Sequence, residues 1–259
     1  MSSPPLELHF RQFGEPDATP LLLLHGLFGS SANWLGIVRR LQERYRLIVP
    51  DLRNHGRSPH ASRMDYPAMV EDILVLLERL DLPACHIIGH SMGGKVAMWL
   101  ALTQADRVAR LVVADVAPVD YPQRFEAIFA GLRDIDLESL SDRQTADRQL
   151  ANHVENRQVR GYLLQNLVKR ADGWSWRLNL SVLEREIATL AGFPSLTGRS
   201  FPGDALFIYG GNSAYVQAEY FPAIRAGFPF ARLRALAGAG HWVYADQPEG
   251  FIQTLESFL

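Results

Sequence analysis

The segment Gly89-His90-Ser91-Met92-Gly93 is the part of this chain whose residue types most directly suggest chemistry. An apolar run ends at Gly89, and a helix-length stretch begins just after Ser91. A strand that turns this sharply into a helix strains the backbone at the serine, and only small neighbours avoid a clash. The turn would present the Ser91 hydroxyl beside the first amides of the helix, which suits a nucleophile whose reaction develops an oxyanion. The alternative is a glycine-rich turn with Ser91 as a helix cap.

Two further glycine-rich segments follow strand-like runs, and each carries a histidine. They are His25-Gly26-Leu27-Phe28-Gly29 near the start and Gly238-Ala239-Gly240-His241-Trp242 near the end. Histidine is the usual general base for a serine nucleophile, and small neighbours leave an imidazole room to approach it. We therefore predict that His241 is the base for Ser91 and that His25 braces its own loop.

Strand-like and helix-like stretches alternate along the chain and must position these segments. Strand-like apolar runs lie at residues 6–13, 21–24, 46–49, 86–88, 111–114, 205–209 and 231–236. Helix-like stretches lie at residues 33–43, 66–80, 93–104 and 248–258. This alternation predicts an α/β fold with a mostly parallel twisted sheet and helices on both faces. The carboxyl ends of parallel strands meet at one crevice, so residues that follow different strands can act together.

Residues 121–202 differ in character from the rest of the chain. This stretch is rich in Arg, Asp, Gln and Glu, and it is predicted to form several short helices without a strand. We therefore predict a core formed by residues 1–120 and 203–259. A helical cap of residues 121–202 is inserted after the strand that ends near Asp115.

Taken together, the three segments resemble the α/β-hydrolase superfamily over nearly the whole chain. Within it, the strings Asp51-Leu-Arg-Asn-His-Gly-Arg-Ser, Asp115-Val-Ala-Pro-Val-Asp-Tyr and Gly210-Gly-Asn-Ser resemble the bacterial YbfF-type esterases and the mammalian ABHD11-type proteins. The resemblance implies an esterase or thioesterase with a helical cap and a Ser-His-Asp triad. It also implies that the backbone N–H groups of Leu27 and Met92 form the oxyanion hole.

The acid of the triad is where this sequence departs from the family pattern. In most of the superfamily the acid follows the strand after the cap, but that loop here reads Gly-Gly-Asn-Ser and has no carboxylate. Asn212 cannot stabilise an imidazolium by charge, Glu219 lies too far along, and Asp204 lies at the wrong end of the strand. Asp115 follows the strand after the nucleophile helix, and some superfamily members place their acid there. The alternative is that Asp115 caps the loop that begins at Ala117.

The substrate is predicted from the apolar side chains that could line a pocket. The candidates are Phe28, His90, Phe125, Phe129, Trp174 and Trp242. For the candidates within the insertion, the alternative is that residues at helical spacing form the interior of the cap. A predominantly apolar lining suits an uncharged acyl group, so a small-molecule carboxylester or acyl thioester is expected. Arg124 and Arg177 could meet an anionic group such as a phosphate of coenzyme A, which only the family resemblance suggests.

The composition excludes several other classes of protein. The chain has 26 basic and 28 acidic residues among 259, so it lacks the basic excess of a nucleic-acid-binding protein. The single cysteine permits no internal disulfide. The first residues have no basic region followed by an apolar region, so we do not expect them to be a signal peptide, and no apolar run in the chain is long enough to predict a membrane span. We expect a cytoplasmic protein without a membrane span, cofactor or metal; the oligomeric state is not predicted.

Two alternative functions belong to different classes. Some members of the superfamily with the same three residues are cofactor-free lyases that act on anionic menaquinone precursors with the serine as base. Such a lyase requires several basic cap residues around its pocket. Other members are ligand receptors that hydrolyse slowly. Both alternatives use the fold predicted here, so they differ from an esterase in substrate and turnover.

Overall fold

A computed structural model describes residues 4–171 and 173–259 of the chain. Its strands are β1 (Phe10–Phe13), β2 (Thr19–Leu24), β3 (Tyr45–Pro50), β4 (Cys85–His90), β5 (Val108–Ala114), β6 (Leu167–Arg170), β7 (Gly173–Trp176), β8 (Ala205–Gly210) and β9 (Ala231–Leu236). Its helices are α1 (Leu35–Leu41), α2 (Tyr66–Arg79), α3 (Met92–Thr103), α4 (Glu126–Arg133), α5 (Arg143–Leu150), α6 (Arg157–Leu164), α7 (Leu180–Arg185), α8 (Ile187–Ala191), α9 (Phe221–Gly227), α10 (Val243–Asp246) and α11 (Pro248–Glu256).

Seven strands form one central sheet in the order β1-β3-β2-β4-β5-β8-β9. β1 is antiparallel to β3, and the other neighbours in the sheet are parallel. The central strands are apolar because both faces of the sheet are covered, one by a core that includes α2 and α3 and the other by a core that includes α1 and α11. The predicted α/β-hydrolase fold, with a mostly parallel sheet flanked by helices, is confirmed.

The predicted edge strand at residues 6–13 is too long. Only Phe10–Phe13 pairs with the sheet. Upstream, the backbone N–H of Leu6 donates to Asp72 Oδ1 (2.6 Å), and that of His9 donates to Ser58 Oγ (2.9 Å). The chain before β1 therefore satisfies its amides with side chains instead of a strand ladder.

The inserted segment lies between β5 and β8 and contains α4 to α8. The prediction that it has no strand is wrong, because β6 and β7 form an antiparallel hairpin. On one face of this hairpin, Leu167 pairs with Trp176 and Lys169 with Trp174, a period of two residues that is typical of a strand and not of a helix. The apolar faces of α4 and α6 pack against the same core as α2 and α3, so the insertion is seated on the sheet domain. Within the described residues, no helix is long and apolar enough to cross a membrane.

Candidate active site

Ser91 lies at a tight turn between β4 and α3 and has φ 52° and ψ −119°. A positive φ is strained for a residue with a side chain, so the surroundings must hold it there. The glycines on either side make the turn possible: a Cβ at Gly89 would lie 2.2 Å from Gly93 O, and one at Gly93 would lie 2.4 Å from Leu24 O. The strand-to-helix turn predicted from the glycine spacing is therefore present. The Ser91 side chain makes no capping hydrogen bond to α3.

Ser91 opens into a cavity of about 320 Å³ that lies between the sheet domain and the inserted segment. Leu27 and Met92 line the same cavity. A Cβ built on Gly26 would lie 3.2 Å from Ser91 Cβ, which shows how closely the loop after β2 approaches the serine. Leu27 comes from the loop after β2, whereas Ser91 and Met92 come from the turn between β4 and α3. The fold thus brings all three residues to one wall of the cavity.

The backbone N–H groups of Leu27 and Met92 have no acceptor among the described residues. Met92 is the first residue of α3, where an amide has no partner within the helix and the helix dipole favours negative charge. Unpaired amides beside a hydroxyl are the groups that an oxyanion on a substrate bound to Ser91 would require.

His25 and His55 brace the loop that carries Leu27. The Nδ1–H of His25 donates to Gly26 O (2.8 Å), and its Nε2 accepts from the Leu52 amide (2.9 Å). Likewise His55 donates through Nδ1 to Arg53 O (2.9 Å) and accepts through Nε2 from the Phe28 amide (3.2 Å). Burial lowers the pKa of His25 and lowers that of His55 to about 3, so both rings are neutral and each nitrogen has a fixed role. His25 braces its loop, as predicted, and His55 is a brace that the sequence did not reveal.

Asp115 lies at the carboxyl end of β5 and is fully buried, with φ 51°. Its Oδ2 accepts from His241 Nδ1 (2.7 Å) and from Ser213 Oγ (2.5 Å), and its Oδ1 accepts from the Gly210 amide (3.0 Å). The alternative that Asp115 caps the following loop is contradicted, because the Ala117 amide donates to Tyr121 Oη instead.

The loop after β8 contributes a hydroxyl where the usual family pattern would have a carboxylate. Ser213 is buried and donates to Asp115 Oδ2, whereas the neighbouring Asn212 is exposed and donates only its backbone amide, to Ala239 O (2.9 Å). Sequence reasoning missed Ser213, because only the neighbouring positions of β5 and β8 in the sheet bring its loop to Asp115.

His241 is held on several sides and is 21% exposed. Since an ionised carboxylate only accepts hydrogen bonds, the contact with Asp115 places the proton of the ring on Nδ1 and leaves Nε2 free to accept one. The Tyr215 ring stacks on the imidazole with centroids 3.9 Å apart, and His90 Nε2 donates to the His241 carbonyl (2.8 Å). No hydrogen bond joins Ser91 Oγ to His241 Nε2 in this structure; such bonds often form only when substrate is bound.

Of the six predicted pocket residues, only Phe125 lines the cavity beside Ser91. The Phe28 and Phe129 rings pack edge to face with their centroids 5.5 Å apart, and both rings are buried where the insertion packs on the core. Trp174 lies on the β6–β7 hairpin, beneath Lys169. The pocket prediction is therefore wrong for Phe28, Phe129 and Trp174. Of the three, only Phe129 lies on a helix of the insertion, where its ring is buried in the interior.

The prediction that His90 and Trp242 line the pocket is also wrong for this cavity. The His90 ring is buried against His241 and Tyr244 and does not line the cavity. Trp242 packs against Tyr162 with ring centroids 5.2 Å apart. Successive residues of a strand point to opposite faces of a sheet, so a neighbour of the nucleophile need not face the same space.

The cavity wall is mostly apolar or aromatic. The insertion contributes Ile128, Ile187 and Leu190, and the loops around the sheet contribute Val116, Tyr215 and Tyr220. Arg124 is an exposed cation at this wall, whereas Arg177 lies outside it, in a separate cleft lined by Arg57 and Lys169.

Lys95 is a buried cation at the cavity wall that the sequence did not distinguish. Its Nζ donates to Val119 O (2.9 Å), Ala191 O (2.7 Å) and Gly192 O (2.7 Å), so all three protons are bound. The Tyr121 ring lies 4.7 Å from Nζ. Burial lowers the pKa of this ammonium to about 7. Since Val119 precedes the insertion and Ala191 lies near its end, Lys95 joins both ends of the insertion to the nucleophile helix.

The chain is similar to known proteins over most of its length. The family model described as alpha/beta hydrolase fold matches residues 19–248. The sn-1-specific diacylglycerol lipase ABHD11 of Xenopus laevis is 41% identical over 248 residues, which cover 93% of this chain and 79% of that protein. Esterase YbfF of Escherichia coli (strain K12) is 38% identical over 242 residues, which cover 93% of each chain. The solved structure of a marine microorganism esterase is 38% identical with a TM-score of 0.94, covering 98% of this chain and 100% of that one.

Proposed function

The chain belongs to the alpha/beta-hydrolase family and is an ester hydrolase, and from this premise we propose that it cleaves carboxylesters through an acyl-enzyme on Ser91. His241 acts as the general base and Asp115 as the acid that holds it. The resemblance to YbfF-type and ABHD11-type proteins that the motifs predicted is confirmed by the identity to both.

One observation carries the proposal. A serine in a strained turn shares a cavity with two amides that lack acceptors among the described residues. A histidine–aspartate pair joined at 2.7 Å follows β9 and β5, two parallel strands on either side of β8 whose carboxyl ends lie on the same side of the sheet. A structural turn would require neither unpaired amides nor a carboxylate buried against an imidazole. Each of these features costs stability, which favours a role in chemistry.

In the acylation step, Ser91 Oγ attacks the ester carbonyl carbon while His241 Nε2 takes the hydroxyl proton. The carbonyl oxygen becomes an oxyanion and accepts from the Leu27 and Met92 amides. Asp115 accepts a hydrogen bond from the His241 Nδ1–H throughout and stabilises the imidazolium. When the tetrahedral intermediate collapses, the bond to the alcohol oxygen breaks, and His241 returns the proton to the leaving alcohol.

Deacylation repeats the route with water as the nucleophile. His241 Nε2 takes a proton from water, the hydroxide adds to the acyl carbon, and the same two amides hold the oxyanion. Cleavage of the bond to Ser91 Oγ then releases the carboxylic acid and returns the proton to the serine. The stacked Tyr215 ring covers one face of the imidazole throughout.

The preferred substrate is proposed to be an ester with an uncharged, apolar acyl group. The cavity wall is formed largely by aliphatic side chains and tyrosine rings, which bury hydrocarbon favourably. A relative of this chain is a diacylglycerol lipase, and a diacylglycerol presents a neutral ester of this kind. Acyl thioesters, including acyl-CoA, are the second candidate, because Arg124 places one exposed cation at the same wall.

The lyase alternative has less support from the cavity. A lyase for anionic precursors requires several basic cap residues, and among the described residues of the insertion only Arg124 is a basic residue at this wall. The remaining cation, Lys95, belongs to the sheet domain and has its three protons bound to backbone carbonyls.

A substrate panel tests the proposal. Turnover should be measured for p-nitrophenyl esters of increasing chain length, a diacylglycerol and acyl-CoAs, with wild type and Ser91→Ala side by side. We expect wild type to favour the neutral esters and Ser91→Ala to lose turnover on all of them. Turnover of every ester and thioester at the rate of the Ser91→Ala variant would contradict the proposed function. A preference for acyl-CoA over every neutral ester would make acyl thioesters, and not carboxylesters, the preferred substrate class.

A further inference from the structure

The peptide group between Leu27 and Phe28 is held from two sides. Its carbonyl, Leu27 O, accepts from Tyr162 Oη (2.9 Å), which belongs to helix α6 of the insertion. Its N–H, on Phe28, donates to His55 Nε2 (3.2 Å), which belongs to the sheet domain. This peptide group directly follows the Leu27 N–H along the backbone. The two hydrogen bonds therefore fix the backbone rotation at Leu27 that points its N–H into the cavity.

The local backbone does not favour this orientation by itself. Phe28 has φ 61°, a conformation that few residues with a side chain adopt. Such a conformation costs about 1–3 kcal/mol and persists only where the surroundings enforce it. Part of that enforcement comes from the insertion, because Asn166 Nδ2 also donates to Phe28 O (2.7 Å).

Helix α6 presents Tyr162 in a fixed position. The Asn156 side chain caps the start of this helix by accepting from the Gln158 and Val159 amides. The Tyr162 ring lies against Trp242, the neighbour of His241. Burial raises the pKa of the Tyr162 phenol well above its usual value, so the hydroxyl keeps the proton that it donates. A Cβ at Gly29 would lie 2.8 Å from Tyr162 Oη, so the loop leaves room for the hydroxyl only with glycine there.

We propose that Tyr162, with Asn166 beside it, is a positioning residue through which the cap completes the oxyanion hole. The inference rests on the proposed function of Ser91 and goes beyond it. The sheet domain supplies the nucleophile, the base, the acid and both amides, but the cap holds one of those amides in place. The oxyanion site is therefore assembled only while α6 is seated on the loop after β2. Detachment of α6 would relax Phe28 and turn the Leu27 amide away.

Tyr162→Phe removes the hydroxyl and keeps the ring. A matched control is Tyr66→Phe, because Tyr66 Oη is also buried and donates to a backbone carbonyl across the same interface, Leu190 O (2.6 Å), away from the oxyanion loop. We expect Tyr162→Phe to lower kcat about 10-fold with KM within about 2-fold, a smaller loss than removal of an oxyanion donor itself. We expect Tyr66→Phe to keep the wild-type kcat while both variants lose comparable thermal stability.

A transition-state analogue separates positioning from general stability. A trifluoromethyl ketone accepts Ser91 Oγ at its carbonyl carbon and leaves an oxyanion, so its Ki should rise about 10-fold in Tyr162→Phe and stay unchanged in Tyr66→Phe. Asn166→Ala, measured in the same way, is a second variant should Tyr162→Phe not fold, and the same direction of change is expected.

Equal losses of kcat in Tyr162→Phe and Tyr66→Phe would overturn the proposal, since the effect would then belong to cap stability in general. An unchanged kcat and Ki in whichever of the Tyr162 and Asn166 variants folds would also overturn it. Failure of the proposed function gives a different result: wild-type turnover would then be indifferent to Ser91→Ala, whatever the cap variants do.

Discussion

At the scale of single residues, the proposed acid, Asp115, departs from the pattern that the sequence comparison with the superfamily led us to expect. Asp115 and His241 lie 126 positions apart in the sequence and are joined by a hydrogen bond. The Asp115 carboxylate also accepts hydrogen bonds from Ser213 Oγ and from the Gly210 amide. A buried carboxylate with this set of donors is held in one orientation. Its donors come from the loop where most relatives would place the acid itself, so that loop still serves the site by supporting Asp115.

Exchange of Asp115 for Asn tests this assignment. The amide would leave the Nδ1–H without a charged partner and favour the wrong tautomer, so we expect kcat to fall by about 10³–10⁴-fold. Asn212→Ala is the matched control at the position where the family pattern would seek the acid, and its exposed side chain predicts a kcat within about 2-fold of wild type. Steady-state kinetics on one p-nitrophenyl ester decides between them, and the reverse ranking would exclude Asp115 as the acid.

Some residues of the site could be predicted from the sequence and others could not. Ser91 and His241 were accessible because the strained turn and the glycine-rich loop leave a local pattern. Asp115 required the additional argument that parallel strand ends share a crevice. Ser213, His55 and Tyr162 were not accessible, because their partners lie in other loops and nothing in their neighbours marks them. Phe129 was misplaced because a helical apolar stripe does not distinguish the interior of the insertion from a substrate pocket.

At the scale of elements, the strands of the sheet domain were the most predictable part. Short apolar runs correspond to β2, β3, β4, β5 and β8, because both faces of these strands are largely buried. The run at residues 231–236 corresponds to β9, an edge strand whose two arginines are exposed. The β6–β7 hairpin was missed, because its strands are four residues long and lie in a polar segment. The edge strand was overextended, because apolar residues before β1 bury themselves without pairing.

Lys95 joins the elements at either end of the insertion, so its removal should loosen the cap. Lys95→Met leaves three buried carbonyls without their donor, and we expect the free energy of unfolding to fall by about 1–3 kcal/mol. Lys169→Met is the matched control, since the chain has only one other lysine and it is exposed; its effect should stay within about 0.5 kcal/mol. Urea denaturation of both variants provides the measurement, and equal stability in the two would contradict the role given to Lys95.

At the scale of the whole molecule, buried neutral histidines make stability depend on pH. Burial lowers the pKa of His25, His55 and His90, to about 3 for His55. The unfolded chain protonates each near the ordinary value of about 6.5, so below that pH the unfolded state binds more protons. Stability is therefore full above pH of about 6.5 and is lost as the pH falls toward the folded-state pKa values.

His55→Gln should make this dependence shallower. Each proton that the unfolded state takes up in excess contributes a slope of about 1.4 kcal/mol per pH unit, so the variant should lose up to one such contribution between pH 6 and 4.5. His60→Gln, at an exposed position, is the control and should keep the wild-type slope. Urea midpoints across that pH range measure both. A His55→Gln slope equal to that of wild type would show that the buried imidazole is not the group that titrates.

The central claim for the whole molecule is that turnover passes through a covalent bond to Ser91, and stoichiometric labelling tests it most directly. A fluorophosphonate should phosphonylate Ser91 Oγ with loss of fluoride, and peptide mapping of partly labelled samples should locate the adduct within residues 80–95. We predict one adduct per chain and a loss of esterase activity in proportion to the labelled fraction. Full esterase activity in a fully labelled sample, or inactivation with the adduct on another residue, would contradict the account.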